Sequence, residues 1–556
     1  MQTNAQSIAR VLAEYGSTRV FTLMGDGNMH LILALDTAGI IPVEVRHESA
    51  AVAMAEGYGW SSGRVGICST THGPGLSHTA TSLLVAARNR SPLVLLVGET
   101  ADGYAGAQHF DQRRFVEACE AVYRRVTAGD DAGSVVASAI ADASALCRPV
   151  VVGIPSDLLE AARGDRLAKP ESPAAPPAAV ADVAAAADAV HGALAAAARP
   201  IILAGRGAVQ AQDELIDLAQ TSGAGLATTL PAKGLFDGHD NDLGIAGGLT
   251  SPDAEPVFAR ADLVLAFGTS LGASTTRSGR LFSSARVLRV ERNPERAAGS
   301  AVPAILGDAA AVATAAARRH RERGVAGRWF PACRAWPENW RTELDEFAPE
   351  LAPDTVDPRI AVIEIDRRLP HDAVIVISNG HCSGFASALV RTSRPRRLHL
   401  AQGFGAIGQG LTTAVGVALG APERHVVVFE GDAGFMMHAQ ELETARRVGA
   451  HLTAIVFNDE ALGTEYHRLH HEGEGADLAL VPTPEIATMA RSAGVDAVRV
   501  ASQADVRDAI DRVLAAPIGL LELRTSRSVE SRHLRWRRLP DPSERPMERG
   551  RVGRGA

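Results

Sequence analysis

The stretch EGDAGFMMHAQELETARRVGAHLTAIVFNDEALG, residues 430–463, decides the fold. An apolar run, HVVVF at 425–429, leads into it and stops at Gly431-Asp432. A helix-length segment follows, and a second run, LTAIVF at 452–457, stops at Asn458-Asp459. Strands joined by such a crossover pair in parallel. Both polar termini then fall at the carboxyl edge of a sheet, where open α/β folds bind ligands. The turn amides after Asp432 face anything negative placed there. Asp432 offers a carboxylate oxygen, Asn458 an amide oxygen and Glu460 its carbonyl, a hard-oxygen set that suits an octahedral Mg²⁺ also holding a diphosphate. The alternative is an ordinary βαβ crossover with a surface Asp and Asn.

Outward from this stretch the alternation continues. AVIVIS, RLHLAQ, AVRV and GLLELR complete a unit expected over 350–527. A similar layout without sequence repetition occupies 1–165, with strands in RVFTLMG, PVEVRH, RVGICST, PLVLLVGE and RPVVVGIP. A third unit, 180–325, has PIILAGRG, GLATTL, DLVLAFGTSL and ARVLRVER. The expected fold class is therefore α/β, with three doubly wound parallel-sheet domains. A Pro/Ala-rich passage from Lys169 separates the first two, and glycines 205, 207 and 268 mark strand ends without spelling GxGxxG, so nucleotide binding and plain tight turns both stay open there. The basic tail 528–556 reads as a disordered end, or alternatively as a lid over an anionic substrate.

Composition agrees. A chain of 556 residues is too long for one core, and with 46% apolar but only 4% aromatic residues its cores must be Ala, Val, Leu and Ile. A net charge of −8 supplies no electrostatic reason to bind nucleic acid. Five cysteines, an odd number without CxxC, suit a reduced cytoplasm. The first residues read as an amphipathic helix and no apolar run reaches membrane-spanning length, so a cytoplasmic protein is expected.

PVEVRHESAAVAMAEGY in the first unit places Glu48 between a strand tip and a helix start, beside Ala50, Ala51, Val52 and Met54, which could desolvate it and keep it neutral. By itself it could equally be an acid at a helix N-terminus. Together, Gly431-Asp432-Ala433 and Asn458-Asp459 resemble the thiamine-diphosphate motif, G-D-G followed about one βαβ unit later by N-N or N-D. Arg46-His47-Glu48 with Gly73-Pro74-Gly75 resembles the acetolactate synthase, benzoylformate decarboxylase and pyruvate decarboxylase superfamily.

That resemblance implies pyrimidine-binding, central and diphosphate-binding domains in this order. It implies that Glu48 shares a proton with the aminopyrimidine ring, with Pro74 nearby, and that Ile407 within Gly405-Ala406-Ile407-Gly408 wedges beneath the bent coenzyme. Gly380, His381, Cys382, Gly405, Gly431, Ala433, Gly434, Leu462 and Gly463 would contact the coenzyme, and Asp432, Asn458 and Glu460 would hold Mg²⁺. Active sites shared between subunits would make an obligate homodimer or a dimer of dimers. His72 is the preferred proton shuttle, with His30 and Gln112 as further catalytic candidates; a structural role remains open for each.

The chain departs from the family around the substrate. DEALGTEYHRLHH follows Asn458 where an acetolactate synthase has apolar and Trp positions, and GTSLGASTTRSG replaces the flavin-binding R-F-D-D-R, which argues against FAD. The expected activity is thiamine-diphosphate- and Mg²⁺-dependent cleavage or formation of a C–C bond on a 2-oxo acid. The alternatives are a lyase acting on acyl-CoA substrates and a non-catalytic cofactor-binding subunit.

Overall fold

A computed structural model describes residues 2–536 apart from 102, 104–105, 168–181, 300–301, 325–326, 335, 347 and 393–396. Lys169 and most of the tail lie outside the described residues. Three six-stranded sheets, all parallel, carry the fold. The first contains β1 (Arg19–Leu23), β2 (Ile41–Glu44), β3 (Gly66–Thr70), β4 (Leu93–Glu99), β5 (Val122–Arg125) and β6 (Pro149–Pro155) in the order β2-β1-β3-β4-β6-β5. The second contains β7 (Pro200–Ala204), β8 (Gly225–Thr228), β9 (Asp242–Ile245), β10 (Leu263–Phe267), β11 (Arg286–Glu291) and β12 (Ala304–Leu306), ordered β12-β11-β10-β7-β8-β9. The third contains β13 (Val374–Ile377), β14 (Leu398–Leu400), β15 (Val426–Gly431), β16 (Leu452–Asn458), β17 (Asp496–Val500) and β18 (Ile518–Arg524), ordered β14-β13-β15-β16-β18-β17.

The first and third sheets thus share one strand order, as their similar layouts suggested. Central strands such as β7, β10 and β16 are buried at every position, which is why they read as continuous apolar runs. The expected strands omit β5, β9 and β12. VYRR carries two arginines, DLGI an acid and a glycine, and AIL only three residues, so none has the apolar length that marked the others.

The first and third sheets belong to one compact unit, Met1–Val180 with Phe347–Val529. Inside it the helix Glu48–Ser62 packs on the helix Gly410–Gly420, both almost wholly buried. Glycine is required at the contact: a Cβ on Gly57 would stand 2.2 Å from the Thr413 carbonyl oxygen, and one on Gly416 would stand 2.0 Å from that of Met54. The buried Glu56 beside this seam accepts from Asn89 Nδ2 and Ser91 Oγ, both at 2.8 Å.

The second unit is Ala181–Glu346 with Glu530–Ala556. Its glycines serve loop packing at the β7/β10 switch point: a Cβ on Gly268, whose φ is +61°, would meet the Gly207 backbone at 2.4 Å. The disordered reading of the tail fails at its front. Arg532 pairs with Glu255 and Glu343, Arg535 pairs with Glu343, and the Arg280 guanidinium lies 5.7 Å from the centre of the Trp536 ring. Among the described residues no helix is long and apolar enough to cross a membrane.

Candidate active site

The end of β15 builds the site. Gly431 caps the helix Asp432–Met437, placing Asp432 in its first turn, almost fully buried. Gly431 pairs with Phe457 in register, so Asp432 and Asn458 are the next residues along neighbouring strands. Asp432 Oδ1 accepts from the Ala433 amide at 2.8 Å, and Oδ2 accepts from the Glu460 amide at 2.9 Å and Thr483 Oγ1 at 3.3 Å. Glu460 has φ +54°, a left-handed conformation costly for a residue with a Cβ, and its amide bond to Asp432 ties this turn in place. The Asn458 amide is held at both ends, Nδ2 donating to Glu522 at 2.7 Å and Oδ1 accepting from Arg524 at 3.1 Å.

A cavity of about 560 Å³ opens over these turns. Its wall comes from the carboxyl ends of five strands: Gly380, His381 and Cys382 after β13, Gly405 and Ile407 after β14, Gly431 to Gly434 at the end of β15, Asp459 and Ala461 to Glu465 after β16, which brings in Leu462 and Gly463, and Thr525 and Ser526 after β18. Ile407 packs over Gly434, where a Cβ would stand 3.5 Å from its own. Burial pushes the Asp432 carboxyl up, with Asp459 adding to it, and burial likewise raises Asp459. Burial, with the nearby acids, also raises the Cys382 thiol far above its usual range. Among the described residues no lysine or arginine lines this cavity.

Glu48 lies elsewhere. Ala50, Ala51, Val52 and Met54 face the core, and the carboxylate meets imidazoles in place of the expected apolar wall: Glu48 Oε2 is 2.9 Å from His78 Nδ1, and the His78 ring stacks on His47 at 5.0 Å. His47 caps the helix and bonds Ser49 Oγ at 2.7 Å, which bonds His438 at 2.8 Å. Burial holds His47 and His438 below the ordinary imidazole range. His78 was missed in the sequence because nothing ties it to a residue thirty positions earlier until the short helix Pro74–Ser77 turns it toward Glu48.

Among the described residues, Glu48, Pro74, His30, His72 and Gln112 do not line the cavity, and neither do the side chains of Asn458 and Glu460, just behind its wall. His30 is 2.9 Å from Glu160, Gln112 donates to the Gly98 carbonyl at 3.0 Å, and His72 lies close to Gly27. Yet His30, Glu48, His72 and Gln112 follow β1, β2, β3 and β4 respectively. One sheet therefore gathers its candidates on its carboxyl edge as the other gathers the cavity.

The donor set fits a divalent cation. Asp432, the Glu460 carbonyl and the second lone pair of Asn458 Oδ1 are hard oxygens, and two crowded buried acids would be relieved by positive charge. With no lysine or arginine on the described wall, a diphosphate would bind here through main-chain amides and such a cation.

Paired α/β sheets with an oxygen-lined cavity on the edge of one and an acid on the edge of the other are the layout of a coenzyme-holding enzyme. The match to known families makes this particular. Residues 2–118 match the thiamine pyrophosphate enzyme N-terminal TPP binding domain, 187–316 its central domain and 378–520 its C-terminal TPP binding domain. The chain belongs to the thiamine pyrophosphate enzyme family. It is 30% identical to a probable 2-ketoarginine decarboxylase of Pseudomonas aeruginosa, with 94% of each chain covered. It is 27% identical to an acetolactate synthase of Mycobacterium bovis over 92% of this chain and 86% of that one. A sulfoacetaldehyde acetyltransferase of Castellaniella defragrans is 26% identical over 92% and 91%. The chain is thus a thiamine-diphosphate enzyme, and the non-catalytic alternative gives way.

Proposed function

We propose that this enzyme uses Mg²⁺ with its coenzyme to break or make the C–C bond beside the carbonyl of a 2-oxo acid. We further propose that it acts as a homodimer or dimer of dimers, each cavity completed by Glu48 of the partner subunit. One observation supports the reading: Asp432 lines a cavity without Lys or Arg on its described wall, with Asn458 and the Glu460 turn directly behind it, while Glu48 stands on the matching edge of the other sheet. Residues 1–165, 180–325 and 350–527 are read as the pyrimidine-binding, central and diphosphate-binding domains.

When bound, the coenzyme supplies a nucleophilic carbon and a sink for the electron pair left by C–C cleavage. The chain's own residues do the rest. Asp432, Asn458 and the Glu460 carbonyl hold the cation, and the loop amides from Gly431 to Gly434 orient the diphosphate. Ile407, packed over Gly434 on the cavity wall, would give the coenzyme an apolar support. Glu48 gives and takes a proton at the pyrimidine ring, and His72, His30 and Gln112 stand on the same edge to serve the substrate. The test is to supply a panel of 2-oxo acids to the Mg²⁺- and coenzyme-loaded protein and measure CO₂ and carbonyl product separately. Failure to process any of them would end this reading.

Within that class, a cationic side chain on the substrate has specific support. Glu465 projects from the helix Gly463–Glu472 onto a cavity whose described wall has no lysine or arginine, and one relative is named for 2-ketoarginine. Glu465→Gln is expected to raise KM for a guanidino or amino 2-oxo acid about tenfold, the discounted worth of one exposed charge-assisted hydrogen bond. KM for a neutral analogue of equal length should stay unchanged; equal effects on both would remove the assignment. The acyl-CoA alternative lacks such support, since Arg532 and Arg535 of the tail are already paired with Glu255 and Glu343.

A further inference from the structure

Glu522 is a fully buried carboxylate in the middle of β18, flanked by Leu520, Leu521 and Leu523. Packing alone does not call for an acid there, because a buried charge is costly unless its partners use it. Both of its oxygens are used. Oε1 accepts from Asn458 Nδ2 at 2.7 Å and lies 3.7 Å from Arg499 Nε, and Oε2 accepts from the Ala487 amide at 2.8 Å. Along the β16/β18 ladder Val456 pairs with Glu522 and Asn458 with Arg524, so all four side chains lie on one face of the sheet.

From this geometry we infer that Glu522 is a positioning residue that decides which end of the Asn458 amide is presented to the metal. The inference rests on reading Asp432 and Asn458 as ligands. An amide turned by a half-rotation looks nearly the same in shape, but its NH₂ repels a cation where its oxygen binds one. Both Glu522 oxygens act as acceptors in this arrangement, Oε2 already from the Ala487 amide, so Oε1 meets Nδ2 and not Oδ1. Arg524, which only donates, agrees with it from the other side at 3.1 Å. The acid thus selects one of two amide orientations that packing would not distinguish, as the outer partners of metal ligands do.

The test is a Mn²⁺ titration followed by electron paramagnetic resonance in the presence of thiamine diphosphate. Wild type, Glu522→Gln, Glu522→Asp, Asn458→Asp and the pair Glu522→Gln with Asn458→Asp are compared. Glutamine keeps the shape but offers one acceptor and one donor, so it cannot satisfy Asn458 Nδ2 and Ala487 together. Mn²⁺ affinity is expected to fall about 10–100-fold. In the double variant both oxygens of residue 458 are equivalent, orientation ceases to matter, and affinity returns to within about threefold of Asn458→Asp alone. A merely structural role predicts the reverse ranking, with the isosteric glutamine milder than the shorter aspartate. Unchanged affinity in Glu522→Gln, or no recovery in the double variant, overturns the inference. If Glu522→Gln does not fold, Glu522→Asp decides: affinity within about threefold of wild type supports the inference and a tenfold loss overturns it. Wild type that binds no Mn²⁺ would instead overturn the ligand assignment itself.

Discussion

Glu48→Gln protein is expected to bind thiamine diphosphate about as tightly as the parent and to turn over about 10²–10⁴ times more slowly, the range for losing a positioned acid–base group. That loss corresponds to roughly 3–5 kcal/mol of barrier. Glutamine can still meet His78 Nδ1, so the imidazole cluster of His47, His78 and His438 keeps its geometry, and only the capacity to give and take a proton disappears. Calorimetry of coenzyme binding beside a single-turnover rate separates the two effects. A variant as fast as the parent would remove Glu48 from the mechanism.

The second large effect is expected at Asp432. In Asp432→Asn the side-chain oxygen can still accept from the Glu460 amide, so the turn at φ +54° survives, but the charge that holds the cation is gone. Coenzyme affinity in Mg²⁺ should fall on the order of a hundredfold, equivalent to about 2–3 kcal/mol for a charge-assisted contact. Excess coenzyme should restore part of the rate. An unchanged dissociation constant would show that the diphosphate is anchored elsewhere.

The same acids fix the direction of the pH dependence. Asp432 and Asp459 are raised above the usual carboxylate range, chiefly by burial. A group raised in the folded state stabilises it fully below its unfolded pKa and loses that contribution as pH climbs through the folded one. Protons also compete with the cation for the same oxygens. The rise in melting temperature on adding Mg²⁺ and coenzyme should therefore be larger near pH 8 than near pH 5.5. In Asp432→Asn that difference should shrink. An equal rise at both values would place the cation away from these acids.

Much of the fold was legible because a strand buried on both faces has to be written as an unbroken apolar run. HVVVF and LTAIVF are such runs, and each ends where polarity resumes, at Gly431-Asp432 and Asn458-Asp459. Edge strands escape that rule. VYRR in β5 and AIL in β12 each pair on one side only, so neither has to be an unbroken apolar run. The tail misled for a related reason: its arginines read as solvated charge, whereas Arg532 and Arg535 neutralise acids of the central unit. Glu522 did carry a signal, a lone acid inside GLLELR, but its meaning depended on which strand lay beside it.

The sequence by itself determined three parallel sheets and the carboxyl edge where Asp432 and Asn458 stand, because hydrophobic runs and their breaks are local properties of the chain. Only the tertiary structure decided that Glu48 faces His78 in place of alanines, that the described cavity wall lacks lysine and arginine, and that the Asn458 amide lies between Glu522 and Arg524. Those facts are contacts between residues far apart in the chain, 64 positions for Asn458 and Glu522. They depend on strand order, which no stretch of residues encodes alone.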